Sequence, residues 1–92
     1  MPWDVSINKK AVKGIAKMNH RAQAAVALLI EDLKIEGPIQ TGWPNYGKLK
    51  GQQNCHHCHL NRGRPTYVVC WEEKEINELE VYYASTHENA PY

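Results

Sequence analysis

Five consecutive residues, Cys55-His56-His57-Cys58-His59, hold two of the chain's three cysteines and three of its five histidines. These side chains bind metal or move protons near neutral pH. Cys-x-x-Cys beside imidazoles reads as half a zinc site, with Cys70 and His87 as further ligands. The spacing speaks against that reading. Side chains along a β-strand alternate between faces. Cys55, His57 and His59 then share one face, and His56, Cys58 and Leu60 share the other. The two cysteines of the pair diverge, and the chain has no second Cys-x-x-Cys or His-x-x-x-His. Cys58 and Leu60 are expected in a core, and His57 and His59 on an open face. Taken singly, each histidine reads first as an ordinary solvent-facing polar residue.

Beside that face the next strand begins near Arg64. Imidazoles with a guanidinium suit cleavage of RNA. A base takes the 2′-hydroxyl proton, an arginine holds the phosphate as charge develops, and an acid protonates the departing 5′-oxygen. Histidine fits both proton roles, with an unperturbed pKa of ~6.5. Neither metal nor another cofactor is required. Tyr67, Trp71, Tyr82 and Tyr92 are candidate stacking surfaces for bases. The tail Ser85-Thr86-His87-Glu88-Asn89-Ala90-Pro91-Tyr92 places a histidine and an aromatic just behind a strand end, where both can fold back over the sheet.

The charge pattern fits such a ligand. The net charge is only +1. From Met1 to Glu36 six Lys/Arg face four Asp/Glu, and from Glu72 to Tyr92 one lysine faces six glutamates. Gly37 to Trp71 carries Lys48, Lys50, Arg62 and Arg64 and no acid. An acid-free stretch rich in cations and histidine favours an anionic partner. The alternative is that Glu78 and Glu80 neutralise these cations across strands.

The elements that must position these residues follow from local pattern. The 92 residues suit one domain, 1–92, with a modest core. No run approaches the ~18 apolar residues that would span a membrane. The odd cysteine count and the N-terminal residues lead us to expect reduced thiols, a cytoplasmic protein and no membrane partner. Trp3 to Ile7 alternates as a strand. Asn8 caps a helix to about Met18, and Asn19 caps a second from His20 to about Ile35, ended by Gly37-Pro38. Ile39 to Asn45 is a loop. Strands follow at Tyr46–Lys50, Asn54–Leu60, Pro65–Glu72 and Ile76–Ala84. The turns between the last three are Asn61-Arg62-Gly63 and Glu73-Lys74. In the last strand Leu79, Val81 and Tyr83 are expected on one face, with Glu78, Glu80 and Tyr82 on the other. The fold class is α+β, in the order β-α-α-β-β-β-β: a small antiparallel sheet with a helical hairpin on one face.

In this order the chain resembles the RelE/ParE superfamily of bacterial toxins from type II toxin–antitoxin systems. The resemblance runs through the opening strand and hairpin, Tyr46-Gly47-Lys48-Leu49-Lys50-Gly51, His57-Cys58-His59-Leu60, Gly63-Arg64-Pro65-Thr66-Tyr67-Val68-Val69-Cys70-Trp71, and Thr86 to Tyr92. The later strands and the Thr-His tail are similar to the RelE/YafQ-like mRNA interferase branch. The upstream histidine of the YafQ-like pattern falls at Gly47. The resemblance implies a RelE-like fold, ribosome-dependent mRNA cleavage, and a cognate antitoxin, ribosome and mRNA as partners. It implies His59 and His87 for proton transfer and Arg64 for the phosphate. His57 supports them, Tyr67 and Tyr92 stack or position bases, and Lys48 and Lys50 steer RNA. A ParE-like gyrase poison shares the fold without needing these residues, and a small zinc-binding module is the third alternative.

Overall fold

The computed structural model of the protein describes residues 2–92. The strands are β1 (Asp4–Ile7), β2 (Gly47–Leu49), β3 (Gln52–His59), β4 (Tyr67–Glu73) and β5 (Glu78–Thr86). The helices α1 (Lys9–Ala16) and α2 (His20–Glu36) lie between β1 and β2, and a 3-10 turn, His87–Asn89, follows β5. The expected element order is therefore present.

Both helices start where a side chain can replace a missing backbone partner. The Asn8 Oδ1 accepts from the Ala11 amide and the Asn19 Oδ1 from the Ala22 amide, each at 2.8 Å. Helix α2 ends at Gly37, whose φ of 87° lies in the left-handed region. A Cβ there would also press on the Trp3 indole, 2.7 Å away. Gly14 has a comparable role in α1, because a Cβ would overlap the Ala84 carbonyl oxygen. The glycine lets the helix backbone lie directly on β5.

The strand order is β1-β5-β4-β3-β2. The four consecutive strands β2 to β5 pair antiparallel, as short turns require. The sheet as a whole is mixed, because β1 enters parallel to β5, Asp4 opposite Glu78. A helix pair between β1 and the rest of the sheet provides the long crossover that a parallel pairing needs.

The main core lies between helices and sheet. Leu29, Leu33, Cys58, Val69, Trp71, Leu79 and Val81 form its centre. A second, smaller cluster of Val68, Cys70 and Tyr83 covers the opposite face. This corrects the expected facing of β5. Cys70 is opposite Tyr83 and Trp71 is opposite Val81, so Tyr82 is the extra residue of a bulge. The bulge resets the alternation, and Tyr83 joins Cys70 on the open face while Leu79 and Val81 face the helices. The last turn also lies later than expected. Glu73 is still in β4, and the Lys74 amide bonds the Glu78 carbonyl at 2.9 Å around a reversal containing Asn77 at φ 61°.

Candidate active site

Strand β3 separates its histidines as alternation requires. His57 is opposite Cys70 and His59 is opposite Val68, both on the open face. His56 is opposite Trp71 and Cys58 opposite Val69, both on the helix face. Cys55 and Cys58 consequently diverge. Among the described residues no cluster of three His, Cys, Asp or Glu is arranged to hold a metal. Burial also pushes the Cys58 and Cys70 thiols up to about 12, away from the thiolate that binds metal or attacks.

The tail meets the open face. The ring of Tyr92 stacks on His57 with centroids 4.6 Å apart and planes at 26°. His87 meets His59 edge-on at 5.2 Å, and Tyr92 edge-on at 6.2 Å. Three imidazoles and a phenol thus converge from two elements distant in sequence. Backbone bonding holds the tail there. The His87 amide donates to the Thr66 carbonyl at 2.8 Å, and the Tyr83 hydroxyl to the Thr86 carbonyl at 2.6 Å.

Arg64 belongs to the β3–β4 loop, which is braced from within. Asn61 Nδ2 donates to the Pro65 carbonyl, Asn61 Oδ1 accepts from the Tyr67 amide, and Thr66 Oγ1 donates to the Gly63 carbonyl at 2.6 Å. Because His87 is tied to Thr66, Arg64, Pro65, Thr66, Thr86, His87 and Glu88 line one cleft. Thr66 and Glu88 were not among the expected site residues, and nothing local in their spacing marks them. Among the described residues Lys48, Lys50, Arg62 and Arg64 form no ion pair. Of the two acids expected to neutralise them, Glu80 goes to Lys74 and Glu78 forms no ion pair among the described residues. Cross-strand neutralisation by these acids is therefore absent, and the acid-free stretch keeps its charge available.

Four of the expected RNA-contacting residues lie elsewhere. Tyr67 packs on the main core beneath the helices, because Val68 and Cys70 occupy the open face of β4. Trp71 is wholly buried on the same side as Tyr67. Lys48 is opposite His56, so alternation turns it to the helix side of the sheet edge, and Lys50 sits in the exposed β2–β3 turn.

Sequence reasoning also missed a polar network behind the site. His56 is fully buried, with Nε2 2.8 Å from Glu73 Oε2 and Nδ1 2.8 Å from the Tyr46 hydroxyl. Nε2 is thus placed to donate to the Glu73 carboxyl, and Nδ1 lies within hydrogen-bond reach of the Tyr46 hydroxyl. Burial, then the Glu73 charge, raises the Tyr46 pKa and keeps its proton in place. The ring of His56 lies flat on Trp71, with centroids at 5.9 Å and planes at 5°. The network ties Tyr46, just before β2, to β3 and β4 one residue from His57.

Burial lowers the pKa of His57, with further contributions from His59, His56 and His87, and burial followed by His87 lowers that of His59. The Nδ1 of His57 is buried without a hydrogen-bond partner. Both rings resist protonation, which has a stability consequence. A histidine with a folded pKa below its unfolded value binds fewer protons when folded, so stability rises with pH through that window. We expect the melting temperature to fall as the pH drops from about 7 to 5, and His57→Gln to flatten that dependence, as thermal unfolding followed by circular dichroism would record. A fall of the same steepness in the variant would show that His57 does not contribute.

No family model matches the chain, and no curated protein sequence matches it. Solved structures do. The fold is similar to an E. coli RelE toxin in the free state, a mutant with two arginines replaced by alanine, with a TM-score of 0.75 at 13% identity over 98% of this chain and 88% of that one. It is similar to a YoeB dimer from Staphylococcus aureus, with a TM-score of 0.73 at 11% identity, covering 95% and 99% of the two chains. The archaeal RelE–RelB complex from Pyrococcus horikoshii gives 0.72 at 16% identity, covering 98% and 100%. The chain has the RelE-like fold over essentially its whole length.

Proposed function

We propose that this RelE-like chain is the toxin of a type II toxin–antitoxin system and cleaves mRNA on the ribosome. The observation that carries this reading is the convergence of His57, His59 and His87 under Tyr92, beside the cleft that holds Arg64. The similarity to RelE and YoeB toxins supports the toxin class. The RelE–RelB complex among the similar structures supports an antitoxin partner. A cytoplasmic location follows from a ribosomal target.

In the proposed reaction His59 takes the 2′-hydroxyl proton. Its lowered pKa leaves it neutral and able to accept one near pH ~7. The freed oxygen bonds to the adjacent phosphorus as the bond from phosphorus to O5′ breaks. Arg64 offsets the charge growing on the non-bridging oxygens. Protonated His87 gives its proton to the departing O5′. The products are a 2′,3′-cyclic phosphate and a 5′-hydroxyl, and no metal takes part. His57 holds the tail through its stack with Tyr92, and Tyr92 offers an aromatic surface to a base.

A gyrase-poisoning reading would use the same fold without needing three converging imidazoles, so the nuclease reading fits the site better. Expression of the chain without its antitoxin should arrest growth and produce ribosome-dependent cuts in message, mapped by primer extension. Wild-type expression with no arrest and no cleavage sinks the proposal. DNA breaks with intact message would favour the gyrase reading.

A further inference from the structure

A second basic surface lies outside the site just described. Lys9, Lys10, Lys13, Lys17 and Arg21 are exposed along α1 and the start of α2. None of them is in an ion pair among the described residues, and α1 has no acid in its first turn. A row of solvated lysines would by itself be an ordinary exposed helix face. Here, however, three of them line a cleft. Strand β1 pairs with β5 only from Glu78 to Val81, and beyond that point α1 lies alongside β5 instead. Lys10, Lys13 and Lys17 form one wall of the resulting groove, with Tyr83, Ser85 and Asn89 opposite. The overlap a Cβ on Gly14 would make with the Ala84 carbonyl shows how closely the helix backbone rests there.

The groove runs into the face that carries the histidines. Asn89 on its rim belongs to the same 3-10 turn as His87, and its Nδ2 bonds the Thr86 hydroxyl at 3.3 Å. Tyr83 packs with Cys70 beneath the open face. Lys10 to Lys17 covers ~10 Å of helix at 1.5 Å per residue. That length, three cations and neutral hydrogen-bonding groups from Ser85 and Asn89 fit a chain of phosphodiesters better than a single anion.

We infer that the α1–β5 groove is a track for the sugar–phosphate backbone of RNA, continuous with the His59–His87 site. The inference rests on the nuclease reading and adds to it where the RNA leaves that site. An acidic protein segment is the competing occupant. Continuity with the proposed cleavage centre and the uncharged Ser85 and Asn89 lining favour RNA.

The test uses the purified full-length chain and ribosomes programmed with a defined message, titrated across KCl concentrations. Each backbone phosphate contact to single-stranded RNA contributes ~0.7 to the slope of log affinity against log salt. The variant Lys10→Gln/Lys13→Gln/Lys17→Gln should bind about tenfold or more weakly at about 0.1 M salt, with a slope shallower by ~2. Lys34→Gln, on the far end of α2 beside Glu31, should bind like wild type. If the triple variant fails to fold, Lys13→Gln alone should reduce the slope by ~0.7. Unchanged affinity and slope in folded variants, with wild-type cleavage intact, would overturn the groove and leave the nuclease reading standing. Ribosome binding retained with loss of affinity for the antitoxin alone would also overturn it. Salt-dependent binding that the variants weaken, without any cleavage by wild type, would count against the nuclease reading and not against the groove.

Discussion

Replacing His87 by alanine should lower ribosome-dependent cleavage by about 10²–10⁴-fold, the usual contribution of one general acid or base. The effect should be chemical and not structural. His87 is exposed on a short 3-10 turn, and the bonds that hold this turn come from its backbone: its amide to Thr66 and its carbonyl to the Ala90 amide. Alanine keeps both. The melting temperature of His87→Ala should therefore stay within a degree or two of wild type, while expression no longer arrests growth. His59→Ala should be comparably slow. The double variant should be little slower than either single one, because residues that act as a unit lose their effects non-additively. Single-turnover cleavage of a programmed message measures this directly. A His87→Ala protein that cuts at the wild-type rate would remove the tail from the reaction and leave His59 without its acid.

The second large effect concerns the wall behind the site. Trp71 is wholly buried, lies flat against His56, stacks on Tyr46 at 6.1 Å, and donates from Nε1 to the Pro38 carbonyl at 3.2 Å. Trp71→Ala removes that packing and leaves a cavity, so it should cost about 3–5 kcal/mol. In a domain this size each kcal/mol shifts the melting temperature by about 4–8 °C, enough to unfold most of the protein at growth temperature. Trp71→Phe keeps a ring against His56 and loses only the N–H and some volume. It should cost less, about 1–3 kcal/mol, chiefly by orphaning the Pro38 carbonyl. Urea unfolding of the two variants would separate these contributions. An alanine variant as stable as the phenylalanine one would mean that the stack carries little of the stability.

The two effects differ in how well they could be anticipated. Helix starts were plain, since Asn8 and Asn19 sit just before amphipathic runs and an Asx side chain is the natural partner for a free helix amide. The division of His56, His57, Cys58 and His59 between faces was equally plain, because period-two alternation needs no knowledge of neighbours. That alternation was enough to demote the Cys-His cluster as a metal site. It failed for Tyr83, because a bulge at Tyr82 is decided by pairing with β4 and leaves no mark in β5 alone. Tyr67 obeys it, lying on the helix face because Val68 and Cys70 take the open side.

Local pattern was sufficient for the two capped helices, the succession of strands along the chain, the acid-free middle and the facing of the β3 histidines. Each depends on residues near one another in the chain. Tertiary packing settled that β1 joins β5 in parallel, that Glu73 and Tyr46 hold His56, and that Lys74 pairs with Glu72 and Glu80. It also decided that His87 and Tyr92 come to rest on His59 and His57, roughly thirty residues back along the chain. Such pairings are chosen by burial and hydrogen bonding between distant segments, where no local pattern distinguishes one partner from another.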